Sequence, residues 1–397
     1  MSSSVRRPLR VFIVAGEESG DQLGGALMEG LARLAPSDGM FDGVVFDGVG
    51  GPRMRAAGLV SRFPMDDLTA IGFGQVLGKL PLILRRLRQT VGLVCAARPD
   101  VLVLVDAPDF THRVAARVRR RMPDIAVVKY VSPTVWAWRP GRAKAMRPSI
   151  DRLLALLPFE PLVHERLQGP PTLYVGHPLL ERLSDLRPSP EEDIRRMSEP
   201  ARVLVLPGSR RAELERLAPV FGEAAGLVAR DRDVELILPT LPRRLETVES
   251  LTADWPVRPR IITDEAEKYA AFRTARAALA ASGTVTLELA LAGVPTVAAY
   301  RVAGWEALIA PYVLTIPSVL LPNLVLGENA MPEFLQHDST AQKLAGALDA
   351  LLWESDARRR QIDAFKRLDA IFGTSGPSPS DRAARAVLEL VAERRTH

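Results

Sequence analysis

The chain alternates between short apolar runs and longer stretches in which apolar residues recur at helical spacing. The runs lack strict apolar–polar alternation, which is typical of parallel strands buried on both faces. A first series predicts strands at 9–15, 44–49, 100–105, 125–131, 150–157 and 172–175. A second series predicts strands at 203–206, 235–238, 260–263, 275–281 and 296–300. The pattern therefore predicts an α/β protein with two successive halves.

The length agrees with this division, because 397 residues exceed the usual size of a single core. We interpret Gly176-His177-Pro178 as the crossing point and predict domains at 1–178 and 179–372. Residues 373–397 hold a Ser/Pro linker and an amphipathic helix. This tail is expected to return to the N-terminal domain or to a partner subunit, so a homodimer stays open.

Composition excludes several classes of protein. The formal charge of +5 is mild and the arginines are dispersed, which does not indicate nucleic acid but suits a phosphate-bearing partner or an anionic membrane. The single cysteine, Cys95, excludes an internal disulfide framework and fits a reducing cytoplasm. Five scattered histidines lack ligand spacing, and Asp231-Arg232-Asp233 falls at a helix-to-strand turn, so no metal or other cofactor is predicted.

Two apolar segments need a membrane test. Residues 9–15 are too short and too close to acidic residues for a signal peptide and are read as the first strand. Residues 304–326 are interrupted by Pro311, Pro317 and Pro322, so kinked core packing is favoured over a spanning helix.

The second half carries two strand-to-helix turns suited to phosphate. Ser282-Gly283-Thr284 follows a small apolar strand and opens a helix, where free N–H groups favour an anion. Glu288 lies one helical turn later, within reach of an attached ribose. Gly208-Ser209-Arg210 repeats the arrangement with a guanidinium that can grip two oxygens. The alternative for Ser282-Gly283-Thr284 is an ordinary turn with a Ser/Thr cap and a solvated Glu288.

The first half carries carboxylates at the corresponding positions. Glu17, Ser19 and Asp21 lie in the loop after the first strand, where the acidic groups would repel a phosphate and argue against a nicotinamide dinucleotide. Asp106 follows the strand at 100–105 and can accept a proton from a substrate hydroxyl. Asp109 is expected to cap the next helix near residue 111.

Aromatic and apolar residues define two further candidates. If the chain is extended after the strand at 125–131, Trp136 and Trp138 point the same way, as core anchors or as a cleft wall. His177 serves hinge packing or touches substrate. Residues 71–88 form either an amphipathic helix on the sheet or a membrane and acyl-chain patch made of Ile71, Phe73, Val76, Leu77, Leu80, Leu82, Arg85 and Arg86.

Seven motifs in matching order, AGEESGD, DAPDF, YVSPTVWAW, GHPL, LPGSR, ASGTVTLE and LPN, resemble the lipid-A-disaccharide synthases, a family of bacterial inverting glycosyltransferases. The resemblance covers residues 9 to about 390. It implies a GT-B fold, with two Rossmann-like domains facing across a cleft and the donor nucleotide held mainly by the second. It also implies transfer of 2,3-diacylglucosamine from its UDP donor to the 6-hydroxyl of 2,3-diacylglucosamine 1-phosphate, or lipid X, at the inner membrane, with a β-1,6 disaccharide and UDP as products.

On this resemblance, Asp106, Arg210 and Asn323 match the residues tied to activity. Both phosphate-type turns and Glu288 would then hold UDP, and the acceptor side of the cleft would carry Glu17, Ser19, Asp21, Trp136, Trp138 and His177. The chain departs from the family pattern at Glu328-Asn329, where an Arg-Glu pair is expected. Alternatives are another UDP-sugar enzyme of this fold, such as a 2-epimerase or a peptidoglycan N-acetylglucosaminyltransferase, and a sugar-phosphate-binding protein without catalysis.

Overall fold

The computed structural model describes residues 6–37, 39–68, 73–302 and 316–396, with side chains for all of these except 73–79 and 396. The chain forms two compact units. One comprises residues 1–180 together with 375–397, and the other comprises residues 181–374. The C-terminal segment therefore belongs to the first unit.

The first unit is built on a parallel sheet in the order β3-β2-β1-β4-β5-β6-β7. Strand order reverses between β1 and β4, so these two strands are neighbours although β2 and β3 lie between them in sequence. The strands are β1 (Leu9–Ala15), β2 (Val44–Val49), β3 (Val60–Ser61), β4 (Val101–Val105), β5 (Ala126–Tyr130), β6 (Arg152–Ala155) and β7 (Thr172–Tyr174).

Helices pack on both faces of this sheet because β1 and β4 are mainly apolar on both faces and β5 is apolar except for the buried Lys129. They are α1 (Glu18–Leu34), α2 (Pro52–Ala56), α3 (Phe73–Ala97), α4 (Pro108–Arg121), α5 (Gly141–Met146) and α6 (Glu160–Arg166). The C-terminal helix (Pro379–Thr396) packs against α1 and contributes Val387 and Val391 to the same core. Its apolar face completes this unit.

The second unit repeats the topology with a parallel sheet in the order β10-β9-β8-β11-β12-β13. Order reverses between β8 and β11, which pair directly. The strands are β8 (Ala201–Leu206), β9 (Val234–Pro239), β10 (Arg260–Ile262), β11 (Ala277–Ala281), β12 (Thr296–Tyr300) and β13 (Glu333–Leu335). The helices are α7 (Leu183–Leu186), α8 (Pro190–Arg196), α9 (Arg211–Val228), α10 (Leu245–Thr252), α11 (Glu265–Thr274), α12 (Thr284–Leu291), α13 (Leu321–Leu326), α14 (Ala341–Leu352) and α15 (Asp356–Phe372).

The predicted strands are confirmed to within a few residues, whereas β3 and β13 were missed because each is short and only partly apolar. Helix α4 begins at Pro108, and Asp109 lies in its first turn rather than capping it near residue 111. The Asp109 carboxylate instead pairs with Arg142 at 2.7 Å. The prediction of Asp109 as a cap is therefore wrong.

Two predicted features fall partly outside the described residues. Most of 304–326 does so, although α13 occupies the end of that stretch. In the patch predicted from 71–88, Ile71 and the side chains of Phe73, Val76 and Leu77 also lie outside them. Among the helices that are described, none has the length and apolarity needed to cross a membrane.

Candidate active site

The two turns predicted to bind phosphate lie side by side in the second unit. They follow β8 and β11, the neighbouring strands at which the sheet order reverses, and in open α/β sheets this is where ligands bind. Both turns line one cavity of about 600 Å³, together with the side chains of Lys268 and Glu288. The structure thus brings together all the residues of this half that were predicted to bind the nucleotide.

The turn after β8 presents its N–H groups toward a single anionic position. Gly208 has a φ of +115°, and a Cβ placed on it would lie 2.7 Å from Glu213, so a glycine is needed here. Glu213 Oε2 accepts from the N–H groups of Ser209 and Arg210 at 3.3 Å each. An internal carboxylate therefore occupies the position where these donors converge. The contact is an ordinary cap of the α9 N-terminus, and the position it fills is a candidate anion seat.

Arg210 is the exposed cation of this turn. Its side chain is 81% exposed and pairs with Glu213 at 2.9 Å. A guanidinium held by one exposed contact can turn toward a ligand at little cost. The next residue, Arg211, is also exposed but pairs with Glu215 and does not line the cavity.

The turn after β11 uses part of its polar capacity for the fold. The Ser282 hydroxyl donates to the Val319 carbonyl at 3.0 Å, and its N–H donates to Ala299. Because this hydroxyl already donates to a backbone carbonyl, its contacts do not support the prediction that it binds phosphate. Gly283 and Thr284 are exposed at the start of α12, and a Cβ on Gly283 would meet nothing within 4 Å. The helix N-terminus is thus open to the cavity.

Glu288 has a partner that sequence reasoning missed. Lys268, on α11, pairs with it at 2.5 Å, and both side chains are largely shielded from solvent. The pair fixes the Glu288 carboxylate on the cavity wall and adds a cation to the same wall. No local signal marks Lys268, because it comes to Glu288 through the packing of α11 rather than through sequence proximity.

Asn323 is committed to structure. Its side chain is buried, and its amide group lies 2.9–3.2 Å from the Ser318 hydroxyl, the Asn329 carboxamide oxygen and the Met331 carbonyl. Its carboxamide oxygen accepts from the Met331 N–H at 2.9 Å. These contacts tie α13 to the segment that leads into β13 and give Asn323 a structural role, while its expected tie to activity stays a prediction. Nearby, Glu328 pairs with Arg367.

The reversal point of the first sheet carries a carboxylate instead of an anion seat. Asp106 directly follows β4 and is half-buried, and the Ser19 hydroxyl, at the start of α1, donates to its Oδ2 at 3.1 Å. Glu17 is exposed in the same loop after β1. The structure therefore brings Glu17, Ser19 and Asp106 to one edge of the sheet.

The backbone at Asp106 is strained. Asp106 and Ala107 have φ values of +47° and +42°, in the left-handed region that residues other than glycine rarely adopt. A Cβ on Gly16 would lie 2.7 Å from that of Ala107, so this glycine makes room for the turn. Such strain persists only where surrounding contacts impose it, and it concentrates at functional sites.

The remaining acceptor-side predictions receive mainly structural explanations. Asp21 is buried and accepts from the N–H groups of Gly51, Arg53 and Met54, so it anchors α2 and does not face a ligand. His177 is buried, and its Nδ1 accepts from the Leu179 N–H. The contacts of Asp21 do not support its prediction as a substrate contact, and those of His177 favour hinge packing, the first of its two predicted roles.

The tryptophan segment forms a turn, so the extended geometry that would point both indoles the same way is not adopted here. The Trp136 ring nitrogen donates to buried Glu160 at 3.2 Å, and the Trp138 ring lies under the guanidiniums of Arg139 and Arg142. Both rings are half-buried. Trp136 is therefore an anchor of the turn, whereas Trp138 presents a cation-covered ring.

The described part of the predicted membrane patch is mixed. Leu80 is exposed, Leu82 is half-buried and Arg85 is exposed, as a surface contact would require. Arg86 instead bonds Asp67 at 2.6 Å and lies over Phe63, which makes it part of the fold. Within the described residues, no three His, Cys, Asp or Glu side chains are grouped closely enough to hold a metal.

Comparison with known proteins gives one consistent family. A sequence model of the family described as lipid-A-disaccharide synthetase matches residues 11–384. A lipid-A-disaccharide synthase of Rhodopseudomonas palustris (strain HaA2) is 55% identical over 384 residues, which cover 96% of each chain. That of Nitrobacter hamburgensis is 54% identical over 383 residues, again covering 96% of each chain.

A solved structure shares the fold at low sequence identity. The UDP-GlcNAc 2-epimerase of Neisseria meningitidis matches with a TM-score of 0.58 and 10% identity, covering 97% of this chain and all of that one. The predicted fold class, α/β with the two Rossmann-like units of the GT-B type, is confirmed.

Proposed function

The chain belongs to the lipid-A-disaccharide synthase family, glycosyltransferases of lipid A biosynthesis, and from this premise we propose its substrates and the role of each site. The donor is UDP-2,3-diacylglucosamine and the acceptor is 2,3-diacylglucosamine 1-phosphate. The products are the β-1,6-linked disaccharide 1-phosphate and UDP. The observation that carries the proposal is the pair of adjacent turns after β8 and β11, which line one cavity with Lys268 and Glu288.

In this proposal the cavity of the second unit holds UDP. The diphosphate displaces the Glu213 carboxylate from the N–H groups of Ser209 and Arg210, and Arg210 turns from Glu213 to the phosphate oxygens. The α12 N-terminus adds a favourable dipole, with each such contact contributing about 0.3–1 kcal/mol at an exposed site. Glu288, held by Lys268, accepts hydrogen bonds from the ribose hydroxyls.

Asp106 acts as the general base on the acceptor. Its carboxylate takes the proton of the 6-hydroxyl while that oxygen forms a bond to C1 of the donor sugar. The C1–O bond to UDP breaks, and its electron pair leaves with the diphosphate. Attack from the face opposite UDP inverts the anomeric centre. Arg210 and the N–H groups stabilise the charge that develops on UDP, so no metal is needed in this scheme.

The substrates also set the location of the enzyme. Their acyl chains require contact with a lipid surface, and we propose peripheral association with the cytoplasmic face of the inner membrane. Exposed Leu80 and Arg85 support this assignment, because an apolar side chain can enter lipid while a nearby cation meets anionic headgroups. A homodimer stays a prediction to be tested by measuring mass in solution.

The decisive assay follows UDP release by the purified protein from UDP-2,3-diacylglucosamine, with and without the acceptor and with a chelator. We expect release that depends on the acceptor, a disaccharide product and no effect of the chelator. UDP binding without release would leave the fold intact but return the substrate assignment to other UDP-sugar enzymes. Release that needs no acceptor would point to chemistry of the epimerase type.

A further inference from the structure

We infer that Lys129, a fully buried lysine of β5, is a positioning residue for Asp106, because its ammonium holds the strained peptide that presents the Asp106 carboxylate. The inference rests on the proposed role of Asp106 as the base. Lys129 does not reach the acceptor in this account. It acts through the backbone of its neighbour strand.

The contacts of Lys129 converge on one turn. β5 pairs with β4, and Lys129 lies opposite Leu104, two residues before Asp106. The Lys129 ammonium donates to the Asp106 carbonyl and lies 3.4 Å from the Tyr130 carbonyl oxygen. The Tyr130 carbonyl in turn accepts from the Asp106 N–H at 3.0 Å. One ammonium therefore contacts the Asp106 carbonyl and also the Tyr130 carbonyl, which accepts from the Asp106 N–H.

Asp106 needs such support because its conformation is unfavourable. Two consecutive residues in the left-handed region would relax to extended or helical angles without contacts that oppose the change. Besides Lys129, the Thr111 hydroxyl lies 2.8 Å from the Asp106 carbonyl oxygen. Rotation of this peptide would break both contacts. It would also carry the carboxylate away from Ser19, whose hydroxyl donates to it.

Burying the Lys129 ammonium costs free energy, because the charge loses its contact with water. Burial lowers the pKa of Lys129 to about 7, and the carboxylates of Asp106 and Glu17 oppose that shift. Lys129 and Arg142 are also among the charges that lower the pKa of His112, on α4. An apolar side chain of similar length would avoid the cost of desolvation, which often makes such a replacement neutral or stabilising. Stability alone therefore does not explain a charged side chain at position 129.

The central test replaces Lys129 with methionine and measures melting temperature, turnover and UDP affinity. We expect an unchanged or higher melting temperature, unchanged UDP affinity and a turnover lower by about tenfold or more, because a misaimed base loses only chemistry. A Lys129→Met protein that is folded and turns over within about twofold of the wild type would overturn the inference, since that is the scatter expected of a silent change.

A double mutant separates positioning from general damage. If Lys129 acts through Asp106, Lys129→Met in an Asp106→Asn background causes no further loss of turnover, because the two residues work as a unit. Independent, multiplicative losses would contradict the inference. Wild-type turnover and the Asp106→Asn variant alone test the proposed function, so failure of either proposal is recognised separately.

Thr111 provides a second route if Lys129→Met does not fold. Thr111→Val removes the other donor to the Asp106 carbonyl, and we expect turnover to fall by about threefold or more with UDP affinity unchanged. Thr90→Val is the matched control, because Thr90 is equally buried and donates to the carbonyl of Arg86 on α3 instead. Equal turnover of the two valine variants would overturn the inference.

Discussion

The two sheets share a topology and differ in the chemistry at the point where strand order reverses. In the first unit, Glu17 follows β1 and Asp106 follows β4. In the second, β8 and β11 end in an arginine-bearing turn and an open helix N-terminus. One reversal point is suited to accepting a proton and the other to holding an anion. The fold supplies the position, and the side chains decide what happens there.

The backbone differs in the same way. At Gly208 the positive φ belongs to a glycine, so the turn proposed to bind an anion is unstrained there. At the other reversal point, Asp106 and Ala107 adopt that conformation while Gly16 only makes room for it. Of these two turns, the strained one is therefore the one proposed to aim a side chain, although positive φ values also occur elsewhere, as at Val131 and Gln336. Mutations at the two reversal points should therefore have different effects on turnover and on UDP binding.

The largest effect is expected at the strained carboxylate. Asp106→Asn keeps the shape of the side chain and removes its basicity, so turnover should fall by a factor on the order of 100 to 10,000, the usual contribution of a general base. The assay is product formation under saturating donor and acceptor. Asp109→Asn is the matched control, because Asp109 is on the same edge but its carboxylate pairs with Arg142. Full activity of Asp106→Asn would remove Asp106 from the mechanism.

At the anion site, Arg210→Ala should weaken UDP binding and lower kcat/KM for the donor by about 10- to 100-fold, the range expected when a charge-assisted hydrogen bond is lost. Titration calorimetry with UDP measures the first effect. Arg211→Ala provides the comparison, since Arg211 is adjacent and exposed but pairs with Glu215 outside the cavity. Similar losses in both variants would mean that general surface charge, not the turn, attracts the nucleotide.

Within the same cavity, Glu288→Gln should weaken UDP binding by about tenfold through poorer contact with the ribose. Lys268→Met should reproduce much of that loss, because Lys268 holds the Glu288 carboxylate at 2.5 Å. The double variant should then lose little more than either single variant. Additive losses would show that Lys268 and Glu288 contact the nucleotide independently.

The smallest effect concerns acid stability, which should also differ between the units. Burial lowers the pKa values of His164 and His177 to about 4 and that of His112 to about 3, and all three belong to the first unit. Each stays neutral when folded but binds a proton when unfolded below pH ~6.5, so stability falls as the pH drops from ~6.5 toward ~4.

Glu160 acts in the opposite direction, because burial raises its pKa to about 7 and the folded state binds its proton first. Because three histidines oppose one glutamate, acidification causes a net loss of folding stability, on the order of 1 kcal/mol per pH unit.

Hydrogen exchange between pH 6.5 and 5, corrected for intrinsic rates, should show protection falling in β1, β4 and β5 more than in β8 and β11. Equal losses in the two sheets would contradict this.

The sequence predicted the ligand-facing turns of both halves because these depend on features that are local, whereas their place at the reversal points became visible only in the strand order. Buried parallel strands appear as apolar runs, and ligand-facing residues follow their carboxyl ends, which located Asp106, Gly208 and Ser282 before any contact was known. The same locality explains why Asp109 was misassigned. Cap and first-turn positions differ by one or two residues, a shift that the hydrophobic pattern does not resolve.

Contacts that depend on packing were not predictable. Asn323 follows a proline in a short motif, and nothing in that motif shows that Met331 and Ser318 close around its carboxamide. In the sequence Lys129 is a single polar residue within an apolar strand, and only the pairing of β5 with β4 brings it close to Asp106. Lys268 is one polar residue in a helix. Each becomes informative only when a distant element is packed against it.

The most direct test of the division between the two reversal points is UDP binding by Asp106→Asn and Arg210→Ala, measured by calorimetry on the same wild-type background. The account predicts that Asp106→Asn binds UDP as the wild type does while forming almost no product, and that Arg210→Ala binds UDP more weakly. Equal loss of UDP affinity in both variants would contradict the assignment of proton transfer to one site and anion binding to the other.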